Sequence, residues 1–298
     1  MRPLSPRYTF TGRDAASVQD LAWSADGRGL WTLGARLERL GPSGAIQIDR
    51  ELDGAGACVA VAEDRVAISI GDRLFEMEPD GELGEPLDLG TPHDGDPVAW
   101  RSRTAPTGLA PDQGGGWWVV LTGEPPKLVH AVAGQAAAVH PLDDFPSAPC
   151  LAAQAGVVWV SAAGVGSRVC DPAGEAITLP DGGDECGLFD EGRGAVVLTA
   201  TGADIWRHDG DRWQRTASVT APGEDAPSSL AVRPEDGLFA LAQGGDVWLF
   251  DADGDTVARA PEAGRNVICA MALSEEALAV ASSGQLRTVD LPMSLWFD

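Results

Sequence analysis

An all-β ring of seven blades, each of four short antiparallel strands, is the fold this sequence predicts. Three observations carry that expectation. Apolar runs ending in a small-residue turn recur along the chain: LWTLG (30–34), VAISIG (66–71), WWVVLTG (117–123), VVWVSAAG (157–164), AVVLTATG (195–202), LFALAQG (238–244) and LAVASSG (278–284). Their closing glycines, Gly34, Gly71, Gly123, Gly164, Gly202, Gly244 and Gly284, stand 37, 52, 41, 38, 42 and 40 residues apart, which makes seven units of about 40 with one lengthened. Each unit repeats the same smaller pieces around that run, and the 37 glycines and 21 prolines supply the frequent turns that many short strands need.

The pieces follow one order in every unit. A short apolar segment comes first: DLAWS (20–24), CVAVA (58–62), GLAPD (108–112), CLAAQ (150–154), CGLFD (186–190), SLAVR (229–233) and CAMAL (269–273). The glycine-closed run is the second strand. A third strand leads into a tight turn, as in LERLGPSG (37–44), LFEMEPDG (74–81), LVHAVAG (128–134), SRVCDPAG (167–174), IWRHDG (205–210) and VWLFDADG (247–254). A fourth β-like piece completes the unit, such as AIQID (45–49), EAITL (175–179) or TVARA (256–260). Four short strands per unit is how a propeller blade reads. The blades fall at about 15–50, 52–90, 104–142, 148–180, 184–220, 226–260 and 265–292, within one domain spanning 1–298. RYTFTG (7–12) is expected to supply the outer strand of the seventh blade, in preference to SLWFD (294–298).

Asp251, Asp253, Asp255 and Glu262 stand at positions 1, 3, 5 and 12 of a calcium-loop spacing. That reading fails because Thr256 occupies the position that needs glycine and the following TVARA is β-like. Gly254 instead belongs to a column of hairpin glycines with Gly44, Gly81, Gly134, Gly174 and Gly210.

In period and strand order the chain resembles the bacterial seven-bladed β-propellers of the broad WD40, YVTN and NHL type, over residues 7 to 298. The Gly-His and Trp-Asp dipeptides of true WD40 repeats are absent. The resemblance implies radial sheets around a channel lined by the first strand of each blade. It also implies that ligands and partners meet the face carrying the loops between blades.

Composition narrows the function classes. A hydrophobic share of 44% excludes global disorder, and no apolar run is long enough to span a membrane or to form a signal peptide, so a cytoplasmic location is expected. The net charge of -24, from 21 basic and 45 acidic residues, argues against nucleic acid, whose affinity rests on Lys and Arg at phosphates. Five cysteines without a CxxC pair do not form a disulfide framework. Four of them, Cys58, Cys150, Cys186 and Cys269, align at the start of a first strand and so are expected in one ring near the channel. Cys170, in a third strand, is expected to pack between blades. Trp31, Trp118, Trp159 and Trp248 lie in apolar runs and are expected in the core, whereas Trp100, Trp213 and Trp296 have no such explanation.

Every loop between blades bears a carboxylate: Asp14; Glu51 and Asp53; His93, Asp94 and Asp96; Asp143 and Asp144; Asp181, Asp184 and Glu185; Glu224 and Asp225; and Glu262. Seven acidic loops converging on one pore would focus a negative potential. The lengthened unit inserts GTPHDGDPVAWRSRTAPTG (90–108), whose His93, Asp94, Asp96, Trp100, Arg101 and Arg103 make it the first choice for a contact loop. Candidate partner-binding residues are therefore these six with Asp143, Asp144, Asp184, Glu185, Glu224 and Asp225.

The four histidines, His93, His130, His140 and His208, fall in different structural positions, and no GxSxG, HExxH or phosphate loop occurs. No catalytic residue is assigned and no cofactor is expected. The expectation is a non-catalytic scaffold: a monomeric propeller within a larger assembly, whose acidic face holds a partner protein or basic segment. Two alternatives stand beside it. The resemblance to propeller lactonases implies a divalent-metal hydrolase or lyase holding calcium or a similar ion at the channel mouth, with Asp20, Asp94, Asp144, Asp184, Asp225 and Asn266 as ligands. A small-molecule sensor using the channel is the other.

Overall fold

A computed structural model describes residues 2–4, 6–11, 18–54, 56–63, 65–71, 73–77, 81–87, 106–122, 125–132, 135–145, 149–170, 176–223, 225–264, 267–282 and 285–291. Their regular structure is all strand. Two short N-terminal strands, β1 (Arg2–Pro3) and β2 (Pro6–Thr11), precede the blades. Blade 1 holds β3 to β6 (Asp20–Trp23, Leu30–Leu33, Arg36–Leu40, Ile46–Glu51), and blade 2 holds β7 to β10 (Gly56–Ala62, Arg65–Ile70, Arg73–Met77, Leu83–Pro86). Blade 3 holds β11 to β14 (Pro106–Pro111, Trp117–Leu121, Lys127–Val132, Gln135–Pro141). Blade 4 follows with β15 to β18 (Cys150–Gln154, Val157–Ala162, Gly166–Cys170, Ala176–Leu179). Blade 5 comprises β19 to β22 (Cys186–Phe189, Gly194–Thr199, Gly202–His208, Trp213–Thr220). Blade 6 is β23 to β26 (Pro227–Val232, Phe239–Gln243, Asp246–Phe250, Thr256–Ala260), and blade 7 begins with β27 to β29 (Ile268–Leu273, Ala277–Ser282, Gln285–Asp290).

Within each blade, chain neighbours pair antiparallel. The inner strands β3, β7, β11, β15, β19, β23 and β27 each pack on the next, and β27 returns to β3, which closes the ring. The chain is a seven-bladed β-propeller. β2 pairs antiparallel with β29, from Pro6 opposite Val289 to Thr11 opposite Gln285, so the N-terminal strand completes blade 7 as expected. β1 was not foreseen. It runs parallel to β26, with Arg2 opposite Ala258 and Pro3 opposite Arg259, and makes blade 6 five-stranded.

The second strands are covered on both faces and read as continuous apolar runs. Leu30–Leu33, Phe239–Gln243 and Ala277–Ser282 are buried at every position. The outer strands meet solvent, and β22 alternates exposed and half-buried residues after Trp213. The apolar core therefore lies between blades. Trp159, Val169, Leu188, Val197, Trp206 and Trp213 pack blade 4 on blade 5, with Trp213 edge-on to Trp159 at 5.0 Å. This gives Trp213 a core role that its position in the sequence did not suggest. Trp31 is buried, Trp118 and Trp248 are half-buried, and Trp100 and Trp296 lie outside the described residues. Cys170 packs against the cluster joining blades 3 and 4.

The Asp251–Asp255 segment is a turn. The Asp251 carboxylate accepts the amides of Asp253 (3.0 Å) and Asp255 (2.8 Å), its carbonyl accepts that of Gly254, and Gly254 takes φ of 91°. One charge is enclosed between blades. Arg233, 1% exposed, holds Asp236 through Nε at 2.7 Å and Nη2 at 2.5 Å, and its Nη1 donates to the Glu275 carbonyl of blade 7 at 3.2 Å.

Candidate functional site at the channel mouth

The loops between blades share one face with the turns between second and third strands. Backbone bonds hold them together, from Gly56 N–H to Gly34 (2.9 Å), Leu142 to Pro126 (2.9 Å), Ala221 to Thr201 (2.9 Å) and Gly264 to Gly245 (3.0 Å). Because the inner strands start on this face, their first residues surround the mouth of the channel. Asp20, Cys150 and Cys186 begin β3, β15 and β19, and Glu185 immediately precedes β19.

Two carboxylates at the mouth tie one blade to the next. Asp20 accepts the amide of Val59 in blade 2 at 2.8 Å and that of its neighbour Leu21 at 2.9 Å. Glu185 accepts the amide of Leu230 and the hydroxyl of Ser229 (3.2 Å), both in blade 6. Burial disfavours the charged form of each. It pushes Asp20 up to about 6 against the bonds from Val59 and Leu21. It pushes Glu185 up to about 7 against the bonds from Leu230 and Ser229, and the charges of Asp20 and Asp184 add to the rise.

Further out, Asp53, Asp143, Asp184, Asp225 and Glu262 are exposed, and their carboxylates make no ion pair among the described residues. Asp144 lies 3.5 Å from Arg168, Glu51 lies 3.8 Å from Arg36, and Asp181 pairs with Arg215 at 3.1 Å. Of the expected partner-binding residues, Asp143, Asp144, Asp184 and Asp225 therefore face solvent, whereas Glu185 is turned into the mouth. His93, Asp94, Asp96, Trp100, Arg101, Arg103 and Glu224 lie outside the described residues, as do Asp14 and Asn266. The opposite face is acidic too, but several of its carboxylates are bound locally. Asp26 and Asp209 accept turn amides, Asp112 meets His130 at 3.0 Å, and Asp190 meets Arg193 at 2.8 Å.

Among the described residues, no three His, Cys, Asp or Glu side chains are placed to hold a metal ion. Of the candidate ligands, Asp20 is bonded to blade 2, while Asp144, Asp184 and Asp225 belong to three separate loops. The described residues do not by themselves form a site for a divalent ion. A recess lined by Gln243, Asp225, Trp248, Arg259 and Glu262 lies beside blade 6 on the same face, where Arg259 stacks over Trp248 at 4.7 Å.

The loop carrying Asp184 and Glu185 is fastened from below. The buried Ser161 hydroxyl accepts the Gly183 amide at 2.8 Å and lies 2.9 Å from the Ser167 hydroxyl, itself 2.9 Å from the Asp181 carbonyl. Ser161→Ala leaves that amide without a partner and is expected to lower stability by about 1–3 kcal/mol, measured by urea unfolding. Nothing in the run VVWVSAAG marks Ser161 for this role. Its signal is only a hydroxyl in an otherwise apolar strand.

No family model matches the chain, and no curated protein matches it. Among solved structures, it is similar to a virginiamycin B lyase from Staphylococcus aureus, with a TM-score of 0.74 and 11% identity over 96% of this chain and 99% of that one. In all, 1361 chains match. So wide a likeness, at such low identity, establishes the propeller fold alone.

Proposed function

We propose that this chain is a non-catalytic interaction module whose inter-blade face binds a cationic segment of a partner protein. The supporting observation is the set of five exposed carboxylates, Asp53, Asp143, Asp184, Asp225 and Glu262, which make no ion pair among the described residues and are spread over five loops around one mouth. Single exposed ion pairs contribute only about 0.2–1 kcal/mol, so affinity comes from several engaged at once and from the steering field of a highly acidic chain. Such binding weakens with salt, because the Debye length falls to about 8 Å at physiological ionic strength and further above it.

The test is titration of a fluorescent lysine-rich peptide at low and high salt. The variant Asp53→Asn, Asp143→Asn, Asp184→Asn, Asp225→Asn, Glu262→Gln is expected to lose about tenfold or more in affinity, since tenfold corresponds to about 1.4 kcal/mol. Five neutralisations on the opposite face, at Glu63, Glu191, Asp211, Asp255 and Glu275, serve as the control. Equal losses in the two variants would reduce the effect to net charge and overturn the docking face.

A second reading, an enzyme or a small-molecule sensor working at the channel, draws support from Asp20 and Glu185. Carboxyl groups that keep a proton near neutral pH in a cleft are acid–base candidates. A melting-temperature rise with calcium, magnesium or zinc, absent in Asp20→Asn, would favour this reading over the scaffold.

A further inference from the structure

Seven equivalent positions surround the channel mouth, and in blade order they hold Asp20, Cys58, Gly108, Cys150, Cys186, Ser229 and Cys269. Cys58 has Asp20 and Gly108 as ring neighbours, and Cys269 has Ser229 and Asp20. Only blades 4 and 5 bring two thiols side by side. Their sulfurs are 3.3 Å apart. Two non-bonded carbons sit best at about 3.5–4.0 Å, and sulfur is the larger atom, so this contact is tighter than ordinary filling of space. Each sulfur also has a second neighbour, Cys150 Sγ at 3.4 Å from the Gly183 carbonyl and Cys186 Sγ at 4.0 Å from the Trp159 carbonyl. Both residues are free cysteines, and neither is fully buried.

We propose that Cys150 and Cys186 form a redox modification site, where a peroxide joins the two sulfurs and ties blade 4 to blade 5 at the channel mouth. A disulfide has its sulfurs about 2.03–2.05 Å apart, so roughly 1.3 Å of approach is needed, shared between two side chains on adjacent strands. One thiolate attacks a peroxide oxygen. The O–O bond breaks, water leaves, and a sulfenic acid remains on that sulfur. The other sulfur then attacks it, the S–O bond breaks, and a second water departs with the remaining thiol proton. Two thiols and one hydrogen peroxide thus give one disulfide and two waters, and a dithiol restores the reduced pair by exchange. Contact with Cys150, then burial, then the Glu185 charge hold the Cys186 thiol well above its ordinary range, so the reaction speeds up as pH rises.

The reduced full-length chain would be exposed to hydrogen peroxide at pH 8, alkylated under denaturing conditions and mapped by peptide mass. The expected product is a single cross-linked peptide pair containing Cys150 and Cys186. Two of the five cysteines escape alkylation, dithiothreitol restores both, and the melting temperature is higher before that reduction. The Cys58→Ser, Cys269→Ser variant should give the same link, and Cys150→Ser should give none. If Cys150 and Cys186 both stay alkylatable while the exposed Cys269 oxidises, or if each is carried separately to a sulfinic acid, the site does not exist.

Discussion

Glu185→Gln is expected to stabilise the protein at pH 8 and to leave it unchanged at pH 4. Glu185 sits at the channel mouth with its carboxyl raised from 4.5 to about 7, chiefly by burial. A carboxyl whose folded value is raised binds its proton more tightly in the native state. Its contribution is fully present below the unfolded value and is lost as pH rises through the folded one. Glutamine keeps the shape and an oxygen that accepts from Leu230 and Ser229, but it never ionises. The variants should therefore diverge between pH 4.5 and about 7 and stay apart above that. Each tenfold gain in proton affinity on folding corresponds to about 1.36 kcal/mol, so the gap reaches at most about 3–4 kcal/mol. Urea midpoints from pH 4 to pH 8.5 provide the check. A gain independent of pH would mean that ionisation of Glu185 is not its source, and a loss at pH 8 would mean that the charged carboxylate is the native form.

The second large effect concerns the ion pair between the buried Arg233 and Asp236, whose side chain is 48% exposed. Asp236→Asn keeps the size of the side chain and an acceptor for the Leu238 amide, but it removes the counter-charge of Arg233, which is 1% exposed. Removing one partner of a fully buried pair typically costs about 3–5 kcal/mol because the remaining charge stays desolvated, and the exposure of Asp236 discounts the loss here to about 1–3 kcal/mol. Adding Arg233→Met to Asp236→Asn should recover much of that loss, since an uncharged side chain of similar length removes the unpaired buried charge. Urea unfolding of both variants decides the matter. If the double variant is no more stable than the single one, the Arg233 bond to Glu275 is what joins blades 6 and 7.

The propeller was legible because each blade repeats one local event, a buried strand stopped by glycine, and such events recur at fixed spacing whatever fills the strands. The ring of Cys58, Cys150, Cys186 and Cys269 followed from the same alignment. Other features depend on contacts between units and left no periodic trace. Arg233 stands in AVRPEDG, which reads as an exposed charged turn, yet blade 7 closes over it. The segment MRPLSP carries no alternation, and β1 forms only because β26 offers it an open edge. Glu185 reads like the other loop acids. Its inward direction follows from Gly183, where a Cβ would fall 1.7 Å from the Leu198 carbonyl oxygen, so the backbone passes too close for any other residue. The stretch 90–108, expected to be a contact loop because it lengthens one repeat, lies largely outside the described residues.

The clasp made by β1 and β2 orders assembly in time. Arg2 must find Ala258 and Thr11 must find Gln285, so this stretch, made before the blades, has no partner until the last two of them have been made. Until then neither strand is paired, and β29 once made presents an open edge to any strand within reach. Pairing across such a separation is slow, and intermediates with bare edges aggregate. Translation supplies the blades one after another, but circularisation is a single late event. Refolding yield should consequently depend more on residues 2–11 than the length of two short strands suggests.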